Sequence, residues 1–235
     1  MALILCIETS TTVCSVALAL NGECIHSLEN HEGNSHAANL TLLINQLFEE
    51  SGQFILSQID AIAVSEGPGS YTGLRIGAST AKGICYAIDK PLIAIQSLQI
   101  LSSPIAKMIE LNEKALLCPL MDARRMEVYA SVYNFELNNV KAVWPEVVDA
   151  SSFGDILDQN VICFFGDGAE KCKSVINHPN ARWIDHDYPL AKDMCRLAQN
   201  KFNANQFVNV AYMEPFYLKE FMATIPKNKI KLHHE

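Results

Sequence analysis

Residues 66–83 read EGPGSYTGLRIGASTAKG, and the reading of the fold starts from them. They begin where the apolar run Ile62-Ala63-Val64 gives out. Glu66-Gly67-Pro68-Gly69-Ser70 carries almost no side-chain bulk: Gly67 and Gly69 can adopt positive φ, and Pro68 is held near about −65°. The residues that follow predict a helix over 71–87 with a small residue at every fourth position, Gly73, Gly77 and Ala81, and so on one face. Gly73, Gly77 and Gly83 each cost about 1 kcal/mol against alanine inside a helix, so a close contact should offset them. A ligand, a partner helix or the helix's own sheet would each serve. The stretch is neither G-x-G-x-x-G nor G-x-x-x-x-G-K-[ST], and Lys82 lies at the wrong end of the helix to cradle a phosphate.

Outward toward the N-terminus, residues 3–9 form the near-continuous apolar run of a central strand covered on both faces. Ser10-Thr11-Thr12 makes a polar turn into a second strand over 13–20. Asn21-Gly22 is a two-residue hairpin signal into a third over 23–29. After a polar loop, Ser35 is placed to cap a helix over 36–51, with Leu40, Leu43, Ile44, Leu47 and Phe48 on one stripe and Gly52 as its stop. Leu42 falls off that stripe and hints at a second apolar surface. Residues 60–65 are a strand leading into the opening stretch.

Outward toward the C-terminus, residues 91–95 predict a strand. Ser97 caps a helix to about residue 109, which Pro104 should kink. The chain then divides into a first half, 1–111, and a second, 112–235, with no linker between them. The second half opens with strands over 115–121 and 126–135 around the turn Asp122-Ala123-Arg124-Arg125, and a third over 140–148. Ser152-Phe153-Gly154-Asp155 resembles a capping box before a short helix. A buried strand over 161–165 runs into Gly166-Asp167-Gly168 and a helix over 169–176, and a further helix covers 190–202. The tail, with Pro215 and Pro226, is extended and ends lysine-rich. Two halves that each mix strands and helices point to an α/β architecture.

The 235 residues are 49% apolar and 19% charged, enough to bury a substantial core. A net charge of −8 tells against a stand-alone nucleic-acid binder, though an acidic subunit can act on RNA through a basic partner. The eight cysteines include no C-x-x-C and read as reduced core thiols of a cytoplasmic protein, with no signal peptide and no membrane span. His31 and His36, or His178 and His186, are not spaced to put two imidazoles on one helix face, so no metal is expected. No G-x-S-x-G elbow is present. Glu8 and Asp122, each at a strand end, either hold Mg²⁺ or a phosphate between the halves or simply fix tight turns.

Four stretches in order, residues 3–18 (LILCIETSTTVCSVAL), 66–83, 121–130 (MDARRMEVYA) and 166–171 (GDGAEK), resemble the TsaB (YeaZ) family. These are the partner subunits in bacterial synthesis of threonylcarbamoyladenosine next to the tRNA anticodon. The resemblance implies an actin-like, sugar-kinase-like ATPase fold of two lobes, each a mixed sheet flanked by helices. The catalytic paralogues of the TsaD family have a first phosphate loop like ETSCDET. Thr12 and Val13 stand here in place of its acids. Their metal motif, HMEGH, is replaced by IQSLQIL at 95–101, and of their second acidic pair only Asp122 remains.

These losses imply a member with no catalytic residue and no metal, and tell against a metallopeptidase. By the same resemblance, the partners are a TsaD-type paralogue, a TsaE-type ATPase and, through the complex, tRNA. A homodimer is expected when the paralogue is absent. The implied partner surface comprises Leu40, Leu43, Ile44, Leu47, Gly73, Leu74, Gly77 and Ala81. A vestigial nucleotide cleft would be lined by Glu8, Thr9, Ser10, Thr11, Thr12, Gly67, Pro68, Gly69 and Asp122. No cofactor is expected to be held tightly, and ATP or ADP, if used, would sit at the interface of the complex. The alternative is an active ATPase or small-molecule kinase of the same fold, using Glu8 and Asp122.

Overall fold

The computed structural model describes residues 1–33, 36–108 and 115–218. The chain opens with β1 (Leu3–Glu8), β2 (Cys14–Leu20), β3 (Glu23–Asn30), α1 (His36–Ser51), β4 (Ala61–Gly67), α2 (Tyr71–Ile88), β5 (Leu92–Gln96) and α3 (Ser97–Met108). It continues with β6 (Ala115–Asp122), β7 (Glu127–Tyr133), β8 (Asn139–Val147), α4 (Gly154–Leu157), β9 (Val161–Phe165), α5 (Ala169–Lys173), β10 (Ala181–Trp183) and α6 (Cys195–Asn203). The described strands form two five-stranded sheets, β3-β2-β1-β4-β5 and β8-β7-β6-β9-β10. Both follow one plan: an antiparallel meander of three strands, with two more added parallel to its first strand.

Local chemistry explains the first sheet. Asn21 and Gly22 both take left-handed φ, 53° and 85°, the pair that a type I′ hairpin requires. β1 is buried along its whole length because helices cover both faces of the sheet. Leu5, Ile7, Val16 and Leu18 face α1 and α2 in one core. Ile4, Cys6, Ala17 and Ala19 face Met194, Cys195 and Ala198 in another. α3 lies between the lobes: Ile100 joins the first lobe's core, while Leu98, Leu101 and Ile105 pack on Leu117, Tyr133 and Phe165 of the second.

Several expectations need correction. The division at 111/112 does not hold for the chain's end, because Ala191 onward packs back on the first sheet, Val208 bridges Leu92 and Met213 enters the first core. The helical assignment of α3 passes through Pro104 without interruption, and Ser97 is its first residue rather than its cap. The capping box does not form. Phe153, at φ 64°, precedes α4, while the Ser152 hydroxyl accepts from Asp149 N at 3.0 Å and donates to Glu146 Oε1 at 2.9 Å. The helix predicted over 169–176 ends at Lys173, and the one over 190–202 is a 3-10 turn (Ala191–Met194) followed by α6. β10 has no counterpart in the sequence reading. The Ser35 cap and the lysine-rich end lie outside the described residues.

Candidate functional site

The loop after β1 meets the glycine-rich turn after β4, and the two leave little space between them. Glu8 is fully buried; its Oε1 accepts from Ser10 N at 2.6 Å, while Oε2 has no hydrogen-bond partner among the described residues. Burial pushes this carboxyl from its ordinary 4.5 up to about 7. The hydroxyls of Thr9 and Ser10 are likewise buried without a partner among the described residues. Thr11 closes the loop, accepting from Val13 N through its hydroxyl and from His36 Nε2 through its carbonyl; Thr12 is exposed. Gly67-Pro68 is a cis peptide, and Gly67 and Gly69 take φ of 117° and 156°. Ser70 N donates to Ser10 O at 2.6 Å, and Ser70 Oγ caps α2 by accepting from Gly73 N.

The small face of α2 is therefore used within the chain. A Cβ at Gly69 would meet Ser10 O, one at Gly73 would meet Thr9 O, and one at Gly77 would meet Thr9 Oγ1. Leu74 and Ala81 are fully buried. On α1, Leu40, Ile44 and Leu47 are buried against β-strand residues, with Leu43 half-buried beside them. Seven of the eight residues expected to form the partner surface are buried within the chain, and Leu43 is half-buried. A 3.6-residue stripe says that a face is covered but not by what, and here the covering is the chain's own sheet and loop.

The outward face of the two helices carries other residues. On α1 it shows Ala37, Ala38, Thr41 and Leu42, the last 63% exposed; on α2 it shows Thr72, Arg75, Ser79, Gly83 and Tyr86, the last 88% exposed. Gly83 differs from Gly73 and Gly77 of the same helix, since nothing among the described residues lies within 4 Å of where its Cβ would be. Leu42, off the buried stripe, was the sequence signal for this face. Tyr86 and Gly83 had none.

Beside α2 runs the end of the described chain. Lys82 Nζ donates to Ala211 O and Met213 O, both at 3.1 Å, Phe216 N donates to Glu66 O at 2.6 Å, and the Tyr217 ring sits 4.9 Å from Tyr71. The Phe216 carbonyl would lie 2.6 Å from a Cβ at Gly67, so only glycine fits there. Sequence reasoning did not anticipate this segment, because its partners are about 130 residues away along the chain.

Asp122, at the end of β6 in the second lobe, is already committed. Its Oδ1 accepts from Lys171 Nζ at 2.7 Å, and the same ammonium donates to Arg125 O at 2.9 Å and Glu127 O at 2.6 Å. Asp167 Oδ1 accepts from Asp122 N at 2.8 Å, and burial pushes the Asp167 carboxyl up to about 6. Among the described residues no group of three His, Cys, Asp or Glu is placed to hold a metal ion. Lys171 and Asp167 lie in the quoted GDGAEK stretch, but only the fold reveals that they meet Asp122. Lys171→Met should lower stability by about 1–2 kcal/mol, since two backbone carbonyls lose this donor and a half-exposed carboxylate its ion pair; urea titration against wild type measures it.

Glu8 gives a pH signature. The folded state keeps a proton that the unfolded chain releases above 4.5, so stability from this group falls as pH rises from 4.5 through about 7 and is flat above that. The full loss is on the order of 3 kcal/mol. Glu8→Gln should remove this part of the slope, so that the mutant gains on wild type between about pH 5 and about pH 8 in chemical denaturation.

Comparison with known proteins fits this geometry. A family model described as TsaD: tRNA N6-adenosine threonylcarbamoyltransferase matches residues 30–227. The tRNA threonylcarbamoyladenosine biosynthesis protein TsaB of Haemophilus influenzae is 29% identical over 228 residues, spanning 92% of this chain and 93% of that protein. Among solved structures, YeaZ from Pseudomonas aeruginosa superposes with a TM-score of 0.75 at 26% identity, covering 93% of this chain and 100% of the other. The activator of 2-hydroxyisocaproyl-CoA dehydratase from Clostridium difficile shares the fold alone, with a TM-score of 0.51 at 11% identity over 87% of this chain and 97% of that one. The two-lobed architecture is the actin-like, sugar-kinase-like ATPase fold.

Proposed function

The chain belongs to the TsaD-type tRNA N6-adenosine threonylcarbamoyltransferase family, as a TsaB (YeaZ) relative in tRNA threonylcarbamoyladenosine biosynthesis, and on that premise we propose that it is a non-catalytic subunit. It docks on a TsaD-type catalytic paralogue, works with a TsaE-type ATPase, and reaches tRNA through the complex in the cytoplasm. The observation that carries this reading is the ion pair of Asp122 with Lys171, which uses a carboxylate that a phosphate-handling member would keep for a metal. Buried Glu8 and Ser10, bonded to one another and through Ser10 O to Ser70 N, support it from the first lobe.

The docking surface is the outward face of α1 and α2 around Leu42, Gly83 and Tyr86. Exposed tyrosine and leucine there fit the composition of a protein interface better than that of a free surface. The same face closes a homodimer when the paralogue is absent. Any ATP or ADP belongs at the interface of the complex, because residues 9–11 of the loop after β1 are buried and only Thr12 is exposed.

Reconstitution tests the proposal. The purified chain alone should neither turn over ATP nor bind it in calorimetry at about millimolar concentration, while adding it to the TsaD-type and TsaE-type partners should restore tRNA modification. ATP turnover by the chain alone, abolished by Asp122→Ala, would overturn it in favour of an active ATPase or kinase.

A further inference from the structure

Away from the cleft, α3 and α6 meet the tip of the β7–β8 hairpin around a concavity of about 260 Å³. Its apolar walls are Ala106, Phe135 and Leu137. Its charged residues are Lys107, Arg196 and, opposite in sign, Glu136. Neither Lys107 nor Arg196 makes an ion pair among the described residues.

The wall at Leu137 is held in a costly conformation. Leu137 has φ 61°, a left-handed setting that costs a branched residue on the order of 1 kcal/mol. It is kept there from several sides. Its N donates to Asn134 O at 3.0 Å, its carbonyl accepts from Gln99 Nε2 at 3.2 Å, and its side chain packs against the inner cores of both lobes. A glycine or asparagine would suit the backbone with less strain. Leucine supplies what they lack, an apolar wall that reaches from the second lobe's hairpin to the first lobe's α6.

We propose that this concavity binds a small organic carboxylate with an apolar body. The carboxylate rests on Arg196 and Lys107, and the body on Phe135, Leu137 and Ala106. The proposal is independent of the role in tRNA modification. Two sources share the chemistry: a simple carboxylic acid, and an α-amino acid whose ammonium faces Glu136. A planar guanidinium and a second cation lining one concavity suit a carboxylate, and apolar walls with few polar groups are the usual make-up of a small-molecule site.

Calorimetric titration of the full chain with 3-phenylpropanoate, L-phenylalanine and the neutral 3-phenylpropanamide tests this. At least one acid should bind saturably below about 10 mM, with the amide much weaker, and Arg196→Gln should weaken binding about tenfold or more. Lys107→Gln, also on the surface, should weaken it in the same direction. Tighter binding of the amino acid, lost in Glu136→Gln, assigns the zwitterion; tighter binding of 3-phenylpropanoate assigns the simple acid. No saturation by either acid, equal binding of the amide, or affinity unchanged in Arg196→Gln overturns the site.

Discussion

Gly77→Leu is expected to cost the fold itself at least about 3 kcal/mol and to lower Tm by roughly 6–12 °C. The partner-surface reading alone would have it insert a side chain into a helix bundle with the partner, with only moderate loss of fold stability. In the structure the first added carbon meets Thr9 Oγ1, in a loop whose neighbours Glu8 and Ser10 are themselves buried. The loop cannot give way without breaking the Ser70 N to Ser10 O bond and opening the β1 end of the sheet. Gly73→Ala should act in the same direction, against the Thr9 carbonyl. Gly83→Ala should do the opposite and stabilise by about 1 kcal/mol, because nothing opposes the added methyl. Thermal unfolding of the three variants decides the matter. A Gly77→Leu chain with wild-type Tm and defective only in partner binding would show that this face of α2 points outward.

Leu42→Asp combined with Tyr86→Ala is expected to weaken binding of the TsaD-type partner about 100-fold or more while leaving Tm close to wild type. Both side chains stand mostly in solvent, so neither change opens a cavity or buries a charge within the chain. Interface energy concentrates in a few aromatic and apolar residues, and Tyr86 is the most exposed aromatic side chain on the two helices. Gly83→Leu should act alongside them by holding a docked helix away. Affinity measured by titration, with Tm as the control, checks the prediction; unchanged affinity in the double variant would move the interface off this face.

The regular elements were legible where one principle governed them. The unbroken apolar run of β1, the Asn21-Gly22 hairpin and the stripe of α1 each follow from local pattern, and each appears within a residue or two of its expected bounds. Pattern failed where the deciding partner was distant. Leu40, Ile44 and Leu47 showed a face that must be covered, but the covering strand could not be read from the helix. Asp122 looked like one half of a divided acidic site until Lys171, 49 positions away, took its carboxylate. The return of α6 to the first sheet was hidden for the same reason. β10, three residues long, is too short to carry a period.

That return has a consequence for how the molecule is made. One face of the first sheet, with Ile4, Cys6, Ala63, Ile93 and Ile95, is covered by Ala191, Met194, Cys195 and Ala198. On the ribosome, the lobe synthesised first must therefore wait, partly bare, until α6 has emerged. The half made second contains its own strands in one continuous stretch and can be complete before the half made first. A ribosome stalled just before α6 would thus present a finished second lobe and a first one with an apolar face still open.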